Sequence, residues 1–310
     1  MAIQYFILMT AILGYVSCST DCDACLEGIC YSKTPILDGY RFSGQLAVDR
    51  TENIVYFHYE DDQSIDYTGA FDLDDIRFKI IPNINFSFAR AVDQSSRNVY
   101  IGGAQGIYKY NPKSNITSQY GLFDKTIWHM QYKDKIYYTV FQMKGLYTLD
   151  NKQSKTISLL SNYTIDDFII DQREDIYFIS QSSVYRLKKG AKQVTVMAGD
   201  VYSLSIDKFE SAHFVHSGKR GLYKLDSKTD GFIEVGAFGS GLPLKSVFDN
   251  NNNIIYHEHN SRKLYYLMPN YGRCMVSRRT HRRPNPNKFM VMERDENESG
   301  SQELLIQRIH

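Results

Sequence analysis

Two neighbouring carboxylates, Asp166 and Asp167, and the pair Trp128-His129 are the residues of this 310-residue chain whose types invite a chemical reading. A histidine beside a carboxylate can act as an acid–base pair, so His129 and Asp167, if the fold joins them, are one candidate. No G-x-S-x-G elbow or comparable activated nucleophile accompanies them. Trp128 is the single tryptophan. Arg90 and Lys245 each lie inside an apolar segment, where a charge needs a partner or water. Phe88 and Tyr202 stand in equivalent apolar segments, and their simpler reading is packing between layers.

Four cysteines remain once the leader discussed below is set aside: Cys22, Cys25 and Cys30 in "CDACLEGIC", and the distant Cys274. A C-x2-C-x4-C cluster is three-quarters of a zinc site. In an oxidising compartment an even cysteine count reads more simply as disulfides, one local and one long bridge to Cys274 that fastens the two ends of the fold together. The run "YFILMTAILGYV", residues 5–16, is uncharged, apolar and too short for a comfortable membrane span, so residues 1–18 read as a signal peptide. Four N-x-S/T triplets, at Asn85, Asn115, Asn162 and Asn297, are N-glycosylation candidates consistent with secretion.

The elements that must carry these residues are β-strands. The chain has 24 Tyr and 17 Phe against 7 Pro, and aromatic side chains suit a half-buried pleated surface. The glycine-rich stretch "VYIGGAQGIYKYNP" is no phosphate loop: Gly102 and Gly103 are adjacent, and Ile107-Tyr108-Lys109-Tyr110 continues as a strand where a nucleotide site needs a helix. It is a hairpin, and it recurs. An apolar strand ending in Asp, a short turn, an aromatic strand and a second turn into an h-Y-x-h strand appear in "LAVDRTENIVYFHYE", "RAVDQSSRNVYIGG", "MQYKDKIYYTV", "FIIDQREDIYFIS", "LSIDKFESAHFVH" and "SVFDNNNNIIYHE". From Phe71 the equivalent aromatic falls at Tyr108, Tyr147, Tyr185, Tyr223 and Tyr265, which is the spacing of propeller blades. The expected fold is all-β, a six-bladed β-propeller over residues 19–274 closed by N- and C-terminal segments, with an N-terminal strand completing the last blade. Asp49, Asp93, Asp171, Asp207 and Asp249 then start turns by binding their own backbone and are not catalytic. The third unit lacks that Asp, which predicts a tighter hairpin.

The runs "SGQLAVDRTENIVYFHYEDDQSIDYTGAFDLD", "FSFARAVDQSSRNVYIGGAQGIYKYNP", "DKTIWHMQYKDKIYYTVFQMKGLYTLDN" and "GAFGSGLPLKSVFDNNNNIIYHEHNSRKLYYLMPNYGRC" also resemble the ommochrome-binding proteins of moths and butterflies, over roughly Cys22 to Cys274. The resemblance implies a secreted carrier in the insect haemolymph that binds a phenoxazine pigment made from tryptophan and is no enzyme. It carries no ligand motif over. A pigment with carboxyl and amino groups wants ring faces for stacking and cations for its carboxylate. At the axial ends of the inner strands the chain offers Phe88, Arg90, Trp128, His129, Asp167, Tyr202 and Lys245, which are taken as the candidate ligand-binding set. No metal or cofactor is expected.

The rival reading is a calcium-dependent lactonase or esterase, since some six-bladed propellers hold calcium on the axis with oxygen ligands. The inner-strand entrances here are Ser43, Arg90, His129, Asp167, Ser203 and Lys245, one carboxylate among two cations. A protein-binding propeller is a third class. A formal charge of +1 gives no bulk electrostatic reason for nucleic acid or an anionic membrane as partner, and a monomer is expected. Residues 275–310, basic and then acidic with no apolar period, read as a disordered polar tail.

Overall fold

The computed structural model describes residues 22–274 apart from positions 85, 227 and 240. The leader, the tail, Asn85 and Asn297 lie outside the described residues. Six four-stranded antiparallel units follow one another, and the first strand of each is innermost: Arg41–Asp49, Ser87–Asp93, Ile127–Tyr132, Asp167–Ile170, Val201–Ile206 and Pro243–Phe248. Each inner strand contacts the next, and the sixth contacts the first, so the ring is closed around an axis. The molecule is a six-bladed β-propeller.

The recurring Asp does what its position requires. Asp49 Oδ1 accepts from the backbone N–H groups of Thr51 and Glu52 at 3.0 and 3.2 Å, and Asp249 Oδ1 from those of Asn251 and Asn253 at 2.8 Å each. Asp93, Asp171 and Asp207 repeat the pattern. Blade 3 lacks the Asp and turns directly, with Tyr132 opposite Ile136 and Lys133 N–H bonded to the Lys135 carbonyl at 3.1 Å. The glycine-rich stretch is a hairpin in which Gly103 pairs with Gly106. Gly106 has φ +90°, and a Cβ there would lie 2.3 Å from the Leu122 carbonyl oxygen, so only glycine fits.

The core is divided among the blade junctions. Ala47, Tyr56, Val99 and Ile101 pack blade 1 on blade 2, Tyr100, Ile127 and Tyr138 pack blade 2 on blade 3, and Phe57, Ile255 and Leu264 pack blade 1 on blade 6. Each blade therefore buries both faces only because it has neighbours, as stacked repeats must.

Closure uses more of the N-terminal segment than one strand. Strand β1 (Ala24–Leu26) and strand β2 (Ile29–Asp38) form a hairpin. β2 is the outer strand of blade 6, paired along its length with Lys263–Arg273. β1 pairs with Phe232–Phe238 of blade 5, joining the two blades into one nine-stranded sheet. The pairing needs Gly236, where a Cβ would lie 1.9 Å from the Cys25 carbonyl oxygen. Cys22 is bridged to Cys30, tying the hairpin, and Cys25 to Cys274, 249 residues away, tying its end to the chain's last described residue. The cysteines are therefore paired with each other, which overturns the zinc reading.

Candidate ligand-binding face

Five of the six inner strands shift register as they enter the ring: between Ser43 and Ala47, Ser87 and Ala89, Ile127 and His129, Val201 and Ser203, and Pro243 and Lys245. A bulge re-aims the side chains beside it, and this one recurs at the same end of the axis. The edges of the inner strands are then closed by side-chain amides. Gln45 accepts from the N–H groups of Arg90 and Met130 at 3.1 and 3.0 Å and donates to the Met130 carbonyl at 2.6 Å. Gln131 does the same for Ile170 at 2.7 and 2.9 Å. These amides satisfy backbone groups that an edge strand would leave open.

Between them lies a cavity of about 110 Å³ whose wall includes Gln45, Arg90, His129, Phe168 and Lys245. Asp167 ties this end together. Its Oδ2 accepts from Lys245 Nζ at 2.6 Å and from the Leu204 N–H at 3.4 Å, and its Oδ1 lies 3.1 Å from His129 Nε2, so four blades meet at one carboxylate. Burial works to raise the Asp167 carboxyl, but the Lys245 ammonium and the His129 ring together hold it below the ordinary carboxylate range. His129 is pushed down to about 4, first by burial and then by Lys245, against the opposing pull of Asp167. It is a neutral ring at pH 7. At the opposite side of the opening, His58 Nδ1 lies 2.8 Å from Ser43 Oγ, and His257 Nε2 lies 3.3 Å from the Gly44 carbonyl. Burial takes these rings down to about 3 and about 4, helped at His58 by the charge of Arg90 and at His257 by Lys245 and then Arg90.

A separate feature surrounds the opening of blades 2 and 3. Phe86, Phe88, Trp128 and Phe141 form a continuous row of rings. Phe86 meets Phe88 edge to face at 4.6 Å, Phe88 meets Trp128 at 5.2 Å, and Trp128 meets Phe141 at 5.2 Å. The row's inner end touches the axial cluster, with Phe86 5.7 Å from the His58 ring. Phe86, Trp128 and Phe141 are 45%, 36% and 46% exposed, and Met143, two residues after Phe141, is 46% exposed. Large apolar side chains gathered at the surface mark an interaction site.

The sequence-derived candidates divide into three groups. His129, Asp167 and Lys245 do meet, and Arg90 lines the same cavity. Trp128 and Phe88 belong to the ring row instead: the register shift between Ile127 and His129 sends Trp128 to the row while His129 reaches Asp167. Arg90, a charge in an apolar strand that needs a partner or water, is fully buried with its guanidinium on the carbonyls of Ser87, Gln45 and Phe88. Tyr202 packs at the junction of blades 5 and 6. Asn115 and Asn162 are exposed. Phe86 and Phe141 escaped the sequence reading because they sit just outside the strands, where the repeat has no register to assign them.

Fold and face together define a six-bladed β-propeller with a narrow polar axis and an aromatic mouth. No protein-family model matches the chain. It is similar to the Ommochrome-binding protein of Manduca sexta, at 24% identity over 248 residues, 77% of this chain and 89% of that one, in agreement with the resemblance read from the sequence. Among solved structures it is similar to a putative gluconolactonase (TM-score 0.60, 9% identity, covering 79% of this chain and 94% of that one). It is similar also to a gluconolactonase of Xanthomonas campestris (TM-score 0.59, 11%, 80% and 95%) and to a calcium-binding regucalcin of Agrobacterium tumefaciens (TM-score 0.58, 10%, 77% and 94%). At such identities these likenesses speak for the fold alone.

Proposed function

We propose that this protein is a secreted, monomeric carrier that binds a planar aromatic pigment of the ommochrome type, and that the pigment lies on the ring row at the mouth. The observation that carries the reading is the row itself, four aromatic side chains in continuous contact with three of them exposed, in a chain similar to an ommochrome-binding protein. A cavity of about 110 Å³ is far smaller than the ~300 Å³ at which pockets for drug-sized molecules begin, so a tricyclic ring system sits over the axis and not within it. The two disulfides suit the oxidising compartment that secretion provides.

The lactonase reading is less well supported by the chemistry of the axial donors. Calcium wants several oxygen ligands. The carboxylate at the inner-strand entrances, Asp167, is engaged by Lys245 and His129, and among the described residues no group of three or more His, Cys, Asp or Glu side chains is placed to hold a metal.

Replacing Trp128 by Ala is expected to weaken pigment binding about 2- to 13-fold, the ring-stacking share of about 0.5–1.5 kcal/mol. Phe88→Ala should act similarly, while Phe209→Ala, an exposed ring on another strand turn, should leave affinity unchanged. Equilibrium titration of each purified variant with a soluble ommochrome decides. Unchanged affinity in both Trp128→Ala and Phe88→Ala, or calcium-dependent lactone hydrolysis by the wild-type protein, would reverse the assignment.

A further inference from the structure

Arg90 presents a charge problem that the pigment platform does not address. Its side chain is fully buried, and every acceptor it reaches is neutral: the Gln45 carbonyl, the Phe88 carbonyl at 3.5 Å, the Ser87 carbonyl at 3.1 Å and Ser87 Oγ at 2.6 Å. Its Nε meets no acceptor among the described residues. No described carboxylate forms an ion pair with it, in contrast to the equally buried Arg186, which is held by Asp175 and Asp230.

The surroundings add positive character. Arg50 and Lys245 line the same cavity, with Glu210 as the carboxylate of its wall, and Asp167 beside it is shared between Lys245 and His129. Burial, with the Arg90 charge adding to it, keeps His58 and His257 neutral, so they contribute polar ring atoms without charge, and His257 Nδ1 also lacks a partner among the described residues. The carboxylates around the cavity are engaged elsewhere, Asp167 by Lys245 and His129, Asp66 beside His58 and Glu210 by Lys133, and none of the described ones pairs with Arg90. Burial lowers Arg90 to about 9, which leaves it charged at pH 7. A buried ion without a counter-charge is strongly unfavourable, and an anion in the adjoining cavity removes the cost.

We propose that the axial cavity holds a monoanion against Arg90, either a halide ion or the carboxylate of a ligand seated at the mouth. The volume of about 110 Å³ accommodates a chloride with a few waters, or a carboxylate. The halide form stands independently of the pigment reading. The carboxylate form rests on it.

The test uses the full chain, secreted and pigment-free. Crystals grown in sodium bromide are expected to give an anomalous peak in the cavity within hydrogen-bond reach of Arg90. Exchange of chloride for gluconate at constant ionic strength is expected to lower the melting temperature by about 3–5 °C in the wild type and to have no effect in Arg90→Met. If a carboxylated pigment abolishes the bromide peak and its decarboxylated analogue does not, the anion is the ligand's carboxylate; a peak that persists with both identifies a resident halide. Should Arg90→Met fail to fold, the bromide data from the wild type decide alone. A wild-type cavity without bromide, in a protein indifferent to halide and to the pigment's carboxylate, overturns the proposal.

Discussion

The protein is expected to melt at pH 5 about 10 °C or more below its melting temperature at pH 7. Among the described residues four histidines are buried: His58, His129, His213 and His257. Burial first of all lowers them, His58 to about 3 and the other three to about 4. In the unfolded chain the same rings titrate near 6.5. Between about pH 6.5 and pH 4 the unfolded chain therefore binds protons that the folded protein refuses, and stability falls as pH falls through that window. At pH 5 each ring contributes a loss of about 2 kcal/mol, so that even half of the combined effect is a large share of a domain's net stability. Carboxylates held low, such as Asp167, give up their contribution only below about pH 4, which separates the two effects. Calorimetry from pH 7 to pH 5 measures the change. A melting temperature flat across that range would mean that these rings are protonated in the folded state.

Removing the long bridge should have an effect of comparable size. In the double variant Cys25→Ser with Cys274→Ser, which leaves no lone thiol, unfolding stability is expected to drop by about 3–5 kcal/mol, because the bridge closes a loop of 249 residues. The loss should start locally. β2 supplies the outer strand of blade 6, and without the bridge the ring is closed only by its non-covalent contacts, the pairing with Lys263–Arg273, the Lys33–Glu258 ion pair and the packing of Ala24 and Leu26. Denaturant midpoints compared with the wild type, and hydrogen exchange along residues 29–38, read both. An unchanged midpoint would show that strand pairing alone closes the propeller.

Much of this architecture is legible in the residues because propeller blades repeat. The Asp that ends the inner strand of five blades marks the turn, and the aromatic of each third strand keeps the register, so blade number and strand order follow from Phe71, Tyr108, Tyr147, Tyr185, Tyr223 and Tyr265. β1 was not legible. Ala24–Leu26 is three residues long and has no alternation to read, and its pairing with blade 5 depends on the close approach at Gly236. The site is harder still. The bulges at the inner-strand entrances leave no mark in composition, yet they decide that His129 and Lys245 reach Asp167 while Trp128 faces outward beside Phe88. Likewise, a charged residue in an apolar strand was visible at Arg90, but only the fold reveals that its partners are carbonyls.

Because Trp128 is the single tryptophan and lies in the middle of the ring row, its fluorescence reports on that surface alone. Titration of the wild-type protein with a soluble ommochrome, with the pigment's visible absorption followed in the same cuvette, shows whether pigment lies on the ring row. A saturable loss of tryptophan emission is expected, with its end point at one pigment per protein and a shift of the pigment band. A pigment that leaves the emission unchanged at saturation, or that does not bind at all, would contradict that placement.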